Sequence, residues 1–375
     1  MSITPATFTL RISDRAVEDL KERLARTRWP DRQPDRFDDG DADGLGRLVA
    51  YWRDDFDWRS AEARLNAFPQ FKVPIGGVDL HYLHVPGRGP DPTPLILCHG
   101  WPGSVFEFLG LIPRLTDPAR FGGDPADAFT VIAPSLPGYG LSYAPGQPCF
   151  SANETAGLLM RLMTEVLGYQ GFAAHGVGWG AAVTARLGHV QPDPRVAMHL
   201  SLLSGLAGAR PSGTPPVEQK TCLAETGEWQ SQGRAYAFVR VPPPPTSVGG
   251  PGFEPADPAT DPAAGIAGAC PALPDGEAAV TPDDLLANIS LYWFTGAIKA
   301  SFWPHYTHHH GAPVPGAAGE ARPAKENARP QPAVARAVGD AGHWTVIERG
   351  GHFAPMAQPK ALAGDLREFF RPLRS

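Results

Sequence analysis

The chain has 375 residues, a formal net charge of −6 at pH 7, 42 glycines and 42 prolines; this is long enough for one large core plus an inserted or appended subdomain. The charge is dispersed without basic blocks, which argues against nucleic acid or an anionic membrane surface as a partner and favours a small, uncharged or mildly polar molecule, with a homo-oligomer compatible. Cys98, Cys149, Cys222 and Cys270 form no CxxC pair and no zinc spacing, the first residues carry no basic start leading into an apolar segment, and no run of about 18 apolar residues occurs, so a soluble, cytoplasmic, metal-free protein with reduced thiols is expected.

Ser13 is placed to cap a helix that carries Val17, Leu20 and Leu24 on one face and stops before Trp29-Pro30. A second helix is predicted over Leu45 to Trp58. Alternation through Phe71–Ile75 and Val78–Val85, joined at Gly76-Gly77, predicts a hairpin. The pattern then changes to short apolar runs, Leu95–Cys98, Val131–Ala133, Phe172–Ala174 and Met198–Leu203, separated by helix-length segments. That is the signature of buried parallel strands with crossover helices, so the fold class is α/β, a doubly wound and mostly parallel sheet.

The alternation stops near Gly205 and resumes around Trp344 to Glu348, before a last helix over Pro359 to Phe370. The expected organisation is therefore an N-terminal helical segment over 1–70, a core over 71–204, an inserted lid over 205–306 and the remaining core over 307–375. Within the lid, 242–274 is rich in proline and glycine and lacks strong periodicity, which predicts a long loop.

Three motifs follow strands, at the ends where open α/β sheets bind ligands. His99-Gly100-Trp101-Pro102-Gly103-Ser104 has glycines for a tight turn, and the backbone N–H of Trp101 is a candidate donor to a developing oxyanion. Pro134 to Ser142 follows the next strand. Gly176-Val177-Gly178-Trp179-Gly180 occupies a strand-to-helix elbow of the kind that carries a nucleophile, yet its central position has no side chain. Downstream, Gly350-Gly351-His352-Phe353 offers a histidine as base, and Glu326 is placed to orient it.

These motifs, in this order, resemble the microsomal-type epoxide hydrolases with an N-terminal meander, and the resemblance covers nearly the whole length. Phe56-Asp57-Trp58-Arg59, Glu62 to Asn66 and Phe68-Pro69-Gln70-Phe71 resemble the meander, His99 to Ser104 the oxyanion turn, Tyr292-Trp293-Phe294-Thr295-Gly296 a lid helix, and Gly350 to Phe353 the base loop. The resemblance implies an α/β-hydrolase fold with an inserted, mainly helical lid. It also implies an aspartate nucleophile that opens the epoxide, two lid tyrosines that bond the ring oxygen, and a His–Glu pair that activates water. Carried over by position, Glu326 matches the acid, His352 the base and Tyr236 the first tyrosine. The second tyrosine falls on His305 with Tyr306 beside it, and the aspartate position is Gly178.

An enzyme ester at Gly178 has no attacking atom. The leading expectation is noncovalent epoxide opening, by intramolecular cyclisation or direct hydration, or a related addition or elimination on a small, secondary-metabolite substrate. His352–Glu326 would move the proton and Tyr236 would donate to oxygen. The alternatives are a noncatalytic descendant that binds a ligand or partner, an epoxide hydrolase inactivated by loss of its nucleophile, and a glycine introduced to trap a complex.

Other residues have plainer readings beside the functional ones. His99 reads as a structural turn histidine, and His175 as either a pocket residue or a satisfied buried one. Trp101, Trp179 and Gly100 are expected around the pocket. His308-His309-His310 reads as a surface run, Cys98 as inert core, and the absence of GxGxxG or Walker motifs predicts no nucleotide cofactor.

Overall fold

The structure is a computed structural model and describes residues 4–27, 39–190, 196–201, 280–304 and 353–373. Helix α1 (Asp14–Ala25) begins where Ser13 accepts a hydrogen bond from the Ala16 N–H, and it buries Leu20 and Leu24. The single helix predicted from Leu45 to Trp58 is instead two, α2 (Asp39–Asp54) and α3 (Trp58–Asn66). The break has a local cause: the Asp57 carboxylate accepts from the Arg59 N–H at 2.8 Å and starts a new helix, which turns Trp58, Ala61 and Leu65 into the core.

A short strand that periodicity did not announce, β1 (Ala6–Phe8), precedes α1 and pairs antiparallel with β2 (Gln70–Ile75). The chain between β1 and α1 is pinned by Asn66, whose side chain accepts from Leu10 N–H at 2.9 Å and donates to its carbonyl at 2.8 Å. β2 and β3 (Val78–Val85) form the expected hairpin, Ile75 opposite Val78, with both turn glycines at positive φ.

The parallel part of the sheet is β4 (Thr93–Cys98), β5 (Phe129–Pro134), β6 (Phe172–Val177) and β7 (Val196–Ser201). Strand order among the described residues is β1-β2-β3-β5-β4-β6-β7, with β5-β4-β6-β7 mutually parallel. β4 lies in the middle of that block, fully buried from Leu95 to Cys98. The chain steps from β4 to β5 on one side and then to β6 on the other, so the order reverses at β4, whose carboxyl end is the position where open α/β sheets bind ligands.

Helices cover both faces. α4 (Ile112–Thr116) packs on β5; α5 (Ala152–Arg161) packs on α6 (Trp179–Val190), and α6 covers β4, β6 and β7. α7 (Pro282–Thr295) is capped by Thr281 and lies against α3 and the short 3-10 turn Val105–Phe108. α8 (Ala354–Ala357) and α9 (Pro359–Phe370) close the described chain, and α9 packs on α4 and β7, with the bounds expected from sequence.

Candidate active site

β4 and β6 are parallel neighbours with Cys98 opposite Gly176, so the segments leaving the two strands meet. After Val177 the chain bends at Gly178, with φ 52°, and α6 starts at the next residue. This left-handed backbone strains an ordinary residue by roughly 1–2 kcal/mol and is free to glycine. The flanking glycines are required for a different reason. A Cβ on Gly176 would stand 2.2 Å from the Gly180 carbonyl oxygen, and one on Gly180 would stand 2.0 Å from that of Cys98. Backbone therefore packs on backbone where α6 meets the sheet. Gly178 has room: among the described residues a Cβ there would meet Gly100 Cα, at 3.6 Å.

The turn after β4 is built on His99, which is fully buried. Its Nδ1–H donates to the Gly100 carbonyl at 2.9 Å, and its Nε2 accepts from the Leu136 N–H at 3.1 Å. Both ring nitrogens are thus committed to backbone, and burial pushes the imidazole down to about 4. His99 joins the turns that follow β4 and β5. Gly100 lies directly against the elbow, where a Cβ on it would be 2.7 Å from the Val177 carbonyl oxygen. Burial pushes the Cys98 thiol up to about 12, which leaves little thiolate at neutral pH.

Trp101 is buried; its indole N–H donates to Ser301 Oγ at 3.1 Å and its ring leans on Phe302. Trp179 and Gly178 are half-buried at the start of α6. The next residues of the turn are bonded to α7. Asn288 accepts from the Ser104 hydroxyl at 2.6 Å and donates to the Pro102 carbonyl at 2.7 Å, while the Tyr292 hydroxyl donates to the Gly103 carbonyl at 2.6 Å. α7 is tied in turn to the N-terminal helices, where Trp52 Nε1 donates to Ser290 Oγ at 2.8 Å and the Trp58 and Phe294 rings lie 4.7 Å apart. Sequence reading missed Asn288, although a polar i, i+4 pair (Asn288, Tyr292) inside an otherwise apolar helix was a usable signal.

His175 does not face the elbow bend. Gly176 points at α6, so its neighbour His175 points to the α9 side of the sheet. There His175 Nδ1 and His199 Nδ1 lie 3.0 Å apart, and His199 Nε2 is 2.9 Å from an Asp365 carboxylate oxygen. With His199 donating to Asp365, its Nδ1 accepts from His175, and His175 is neutral with a buried Nε2 that has no hydrogen-bond partner among the described residues. Desolvation, followed by the neighbouring His199, holds His175 well below the usual imidazole range.

His352, Glu326, Tyr236, His305 and Tyr306 lie outside the described residues, as do the 242–274 loop and His308 to His310. Phe353, next to His352 in sequence, is buried at the start of α8. Among the described residues no cluster of His, Cys, Asp or Glu is arranged to hold a metal ion, and no helix is long and apolar enough to cross a membrane.

Comparison with known proteins places this geometry. Residues 5–108 match the model for the epoxide hydrolase N terminus, and residues 95–365 match that for the alpha/beta hydrolase family. The chain is 32% identical over 420 residues to epoxide hydrolase 1 of Oryctolagus cuniculus, covering 98% of this chain and 88% of that one. This chain belongs to the microsomal-type epoxide-hydrolase family. A Stigmatella aurantiaca protein that carries the epoxide-hydrolase name is 37% identical over 384 residues, covering 100% of this chain and 86% of its own. The solved structure of Aspergillus niger epoxide hydrolase superposes with a TM-score of 0.80 at 26% identity, covering 99% of this chain and 97% of that one. The N-terminal match spans α1 to α3, the β4 turn and Phe108. In this epoxide-hydrolase chain, then, the segment bonded through α7 to the turn is itself part of the family's pattern.

Proposed function

We propose that this chain opens a small, uncharged epoxide without forming an ester with the protein. One observation carries the reading: the residue at the apex of the elbow is Gly178, held at φ 52° with open room toward Gly100 and no atom to attack with. Cys98, paired across the sheet with Gly176 two residues before the bend, is buried and stays protonated, so it offers no substitute nucleophile.

By the family resemblance, His352 oriented by Glu326 takes a proton from the attacking oxygen, and Tyr236, with Tyr306 or His305, donates one to the ring oxygen as the C–O bond breaks. The attacking oxygen is water, giving a diol, or a hydroxyl of the same substrate, giving a cyclic ether. The second is the preferred variant, because a tethered hydroxyl gains from proximity what the missing carboxylate would have supplied. The proton on His352 then returns through solvent to the tyrosinate. A positioned general base contributes roughly 10²–10⁴-fold, enough for an activated ring. A specialised secondary metabolite is the substrate class that suits this chemistry.

The test is a single turnover in ¹⁸O water. Direct hydration places label in the diol on the first turnover, and cyclisation places none in the product and forms no diol. Unlabelled diol on the first turnover, with label appearing only later, would show that oxygen came from the protein and would end the proposal. His352→Ala and Tyr236→Phe are expected to lower turnover by about 10²-fold or more. Undiminished rates in both would remove their assigned roles. If neither the wild type nor Gly178→Asp turns over any epoxide, a noncatalytic ligand-binding protein is the better description.

A further inference from the structure

From Trp101 to Ser104, each residue of the β4 turn is hydrogen-bonded to one distant stretch of chain, 288–301. Trp101 donates to Ser301, the Pro102 carbonyl and the Ser104 hydroxyl meet the two ends of the Asn288 amide, and the Gly103 carbonyl accepts from Tyr292. All three side chains on the 288–301 side are buried, with Asn288 and Tyr292 each 1% exposed and Ser301 fully covered. Hydrogen bonds in such a dry setting fix geometry more strongly than exposed ones, since breaking one strands a buried polar group. Both ends of the Asn288 amide are engaged, its oxygen accepting and its nitrogen donating, which also fixes its orientation.

We infer that Asn288 and Tyr292 are positioning residues for the reaction: they hold the 102–104 backbone in register against the elbow and so set where the turn's amides point. Neither touches the reacting atoms. Their effect passes through the turn, and it rests on the proposed function only in assigning the turn to the reacting oxygen. Because Trp52 anchors the same helix through Ser290, the N-terminal helices support the turn from outside, at a distance of more than 180 residues along the chain between Asn288 and the turn it holds.

Two substitutions isolate the bonds from the packing. Tyr292→Phe removes the hydroxyl and keeps the ring. Asn288→Asp keeps the shape and the acceptor for Ser104 and loses donation to Pro102. A control on the same helix, Thr295→Val, removes a hydroxyl that bonds Leu291 and Tyr292 within α7 and does not reach the turn.

Hydrogen exchange of the intact chain is followed by mass spectrometry on peptides covering 99–106. Exchange there is expected to rise about tenfold in Tyr292→Phe and in Asn288→Asp and to stay unchanged in Thr295→Val, with β4 and β6 peptides protected in all three. In parallel, turnover of styrene oxide is measured in the wild-type and Gly178→Asp backgrounds. The two turn variants are expected to lower kcat by about 10- to 10²-fold, the scale of a small misplacement of catalytic groups, with KM within about twofold. Unchanged turn exchange overturns the inference, and so does faster exchange with unchanged kcat, which would leave the bonds a purely structural role. Faster turn exchange with no styrene oxide turnover in either background overturns the link from the turn to epoxide opening and keeps only the holding of the turn, while the cyclisation of a hydroxyl-bearing epoxide is decided separately by the ¹⁸O experiment. If Asn288→Asp does not fold, Tyr292→Phe, the milder change, decides alone.

Discussion

Lowering the pH should destabilise this protein steeply, because three of its histidines are buried and neutral. His81 bonds Ser135 and Gln70 through its two ring nitrogens and is pushed down to about 3, chiefly by burial and then by Lys72. His99, spent on two backbone groups, is pushed down to about 4. His175 lies well below the usual range. In the unfolded chain each titrates near 6.5, so the unfolded state binds protons first as pH falls. Stability is therefore fully present above about pH 7 and is lost from roughly pH 6.5 downward, until each folded-state value is reached.

At pH 5.5 the His81 and His99 rings each contribute a loss of about 1.4 kcal/mol, so together they remove roughly 3 kcal/mol from a domain stability on the order of 5–15 kcal/mol, and His175 acts in the same direction. At pH 4.5 the sum for His81 and His99 is roughly 5 kcal/mol, enough to unfold a chain at the lower end of ordinary stability. The measurement is urea unfolding at several pH values, with proton uptake on unfolding from calorimetry in two buffers of different ionisation enthalpy. Close to two protons should be taken up at pH 5.5 by His81 and His99, and His175 and His84, both lowered by burial, add to the uptake. Flat stability between pH 7 and 5.5, or uptake near one proton, would mean that these rings are charged in the native state and would refute the reasoning.

Further outcomes follow from single contacts. Gly178→Ala should fold with a loss of about 1–2 kcal/mol from its positive φ, whereas Gly180→Ala, whose Cβ would press on the Cys98 carbonyl at 2.0 Å, should lower the melting temperature far more or prevent folding. Gly178→Asp tests the intactness of the remaining machinery: gain of diol formation from styrene oxide is expected, and its absence in a folded variant would place the defect elsewhere. Asn66→Ala removes both bonds to the Leu10 backbone and should cost about 1–3 kcal/mol, seen as a lower urea midpoint and faster exchange over residues 6–12. Between the two described free cysteines, exposed Cys149 should react with a thiol reagent in the native state well before buried Cys98 does.

Much of the fold was legible because its signals are local. Fully buried parallel strands read as apolar runs, and β4, β5 and β6 fell where Leu95, Val131 and Phe172 had placed them. The Gly-Gly hairpin and the last helix were equally direct. The break between α2 and α3 was hidden because Asp57 sits in an acidic stretch that looks like the solvent face of a continuing helix, and only its capping bond separates the two. Strand β1 is three residues long and owes its state to pairing with β2. In the site, the elbow and turn could be read from glycine spacing. The bonds from Asn288 and Tyr292, and the His175–His199–Asp365 chain, join residues far apart in sequence and belong to packing alone.

The backbone-on-backbone seating of the elbow has a consequence for how such a site changes over time. Its curvature is dictated by the two neighbours on which the helix rests, so the occupant of the vertex can be exchanged without redrawing the bend. A side chain can therefore be gained or lost at the vertex in one step at a modest energetic penalty, while the same step two residues to either side is barred. The side chain at this corner is the replaceable part of the architecture, and the corner itself is not.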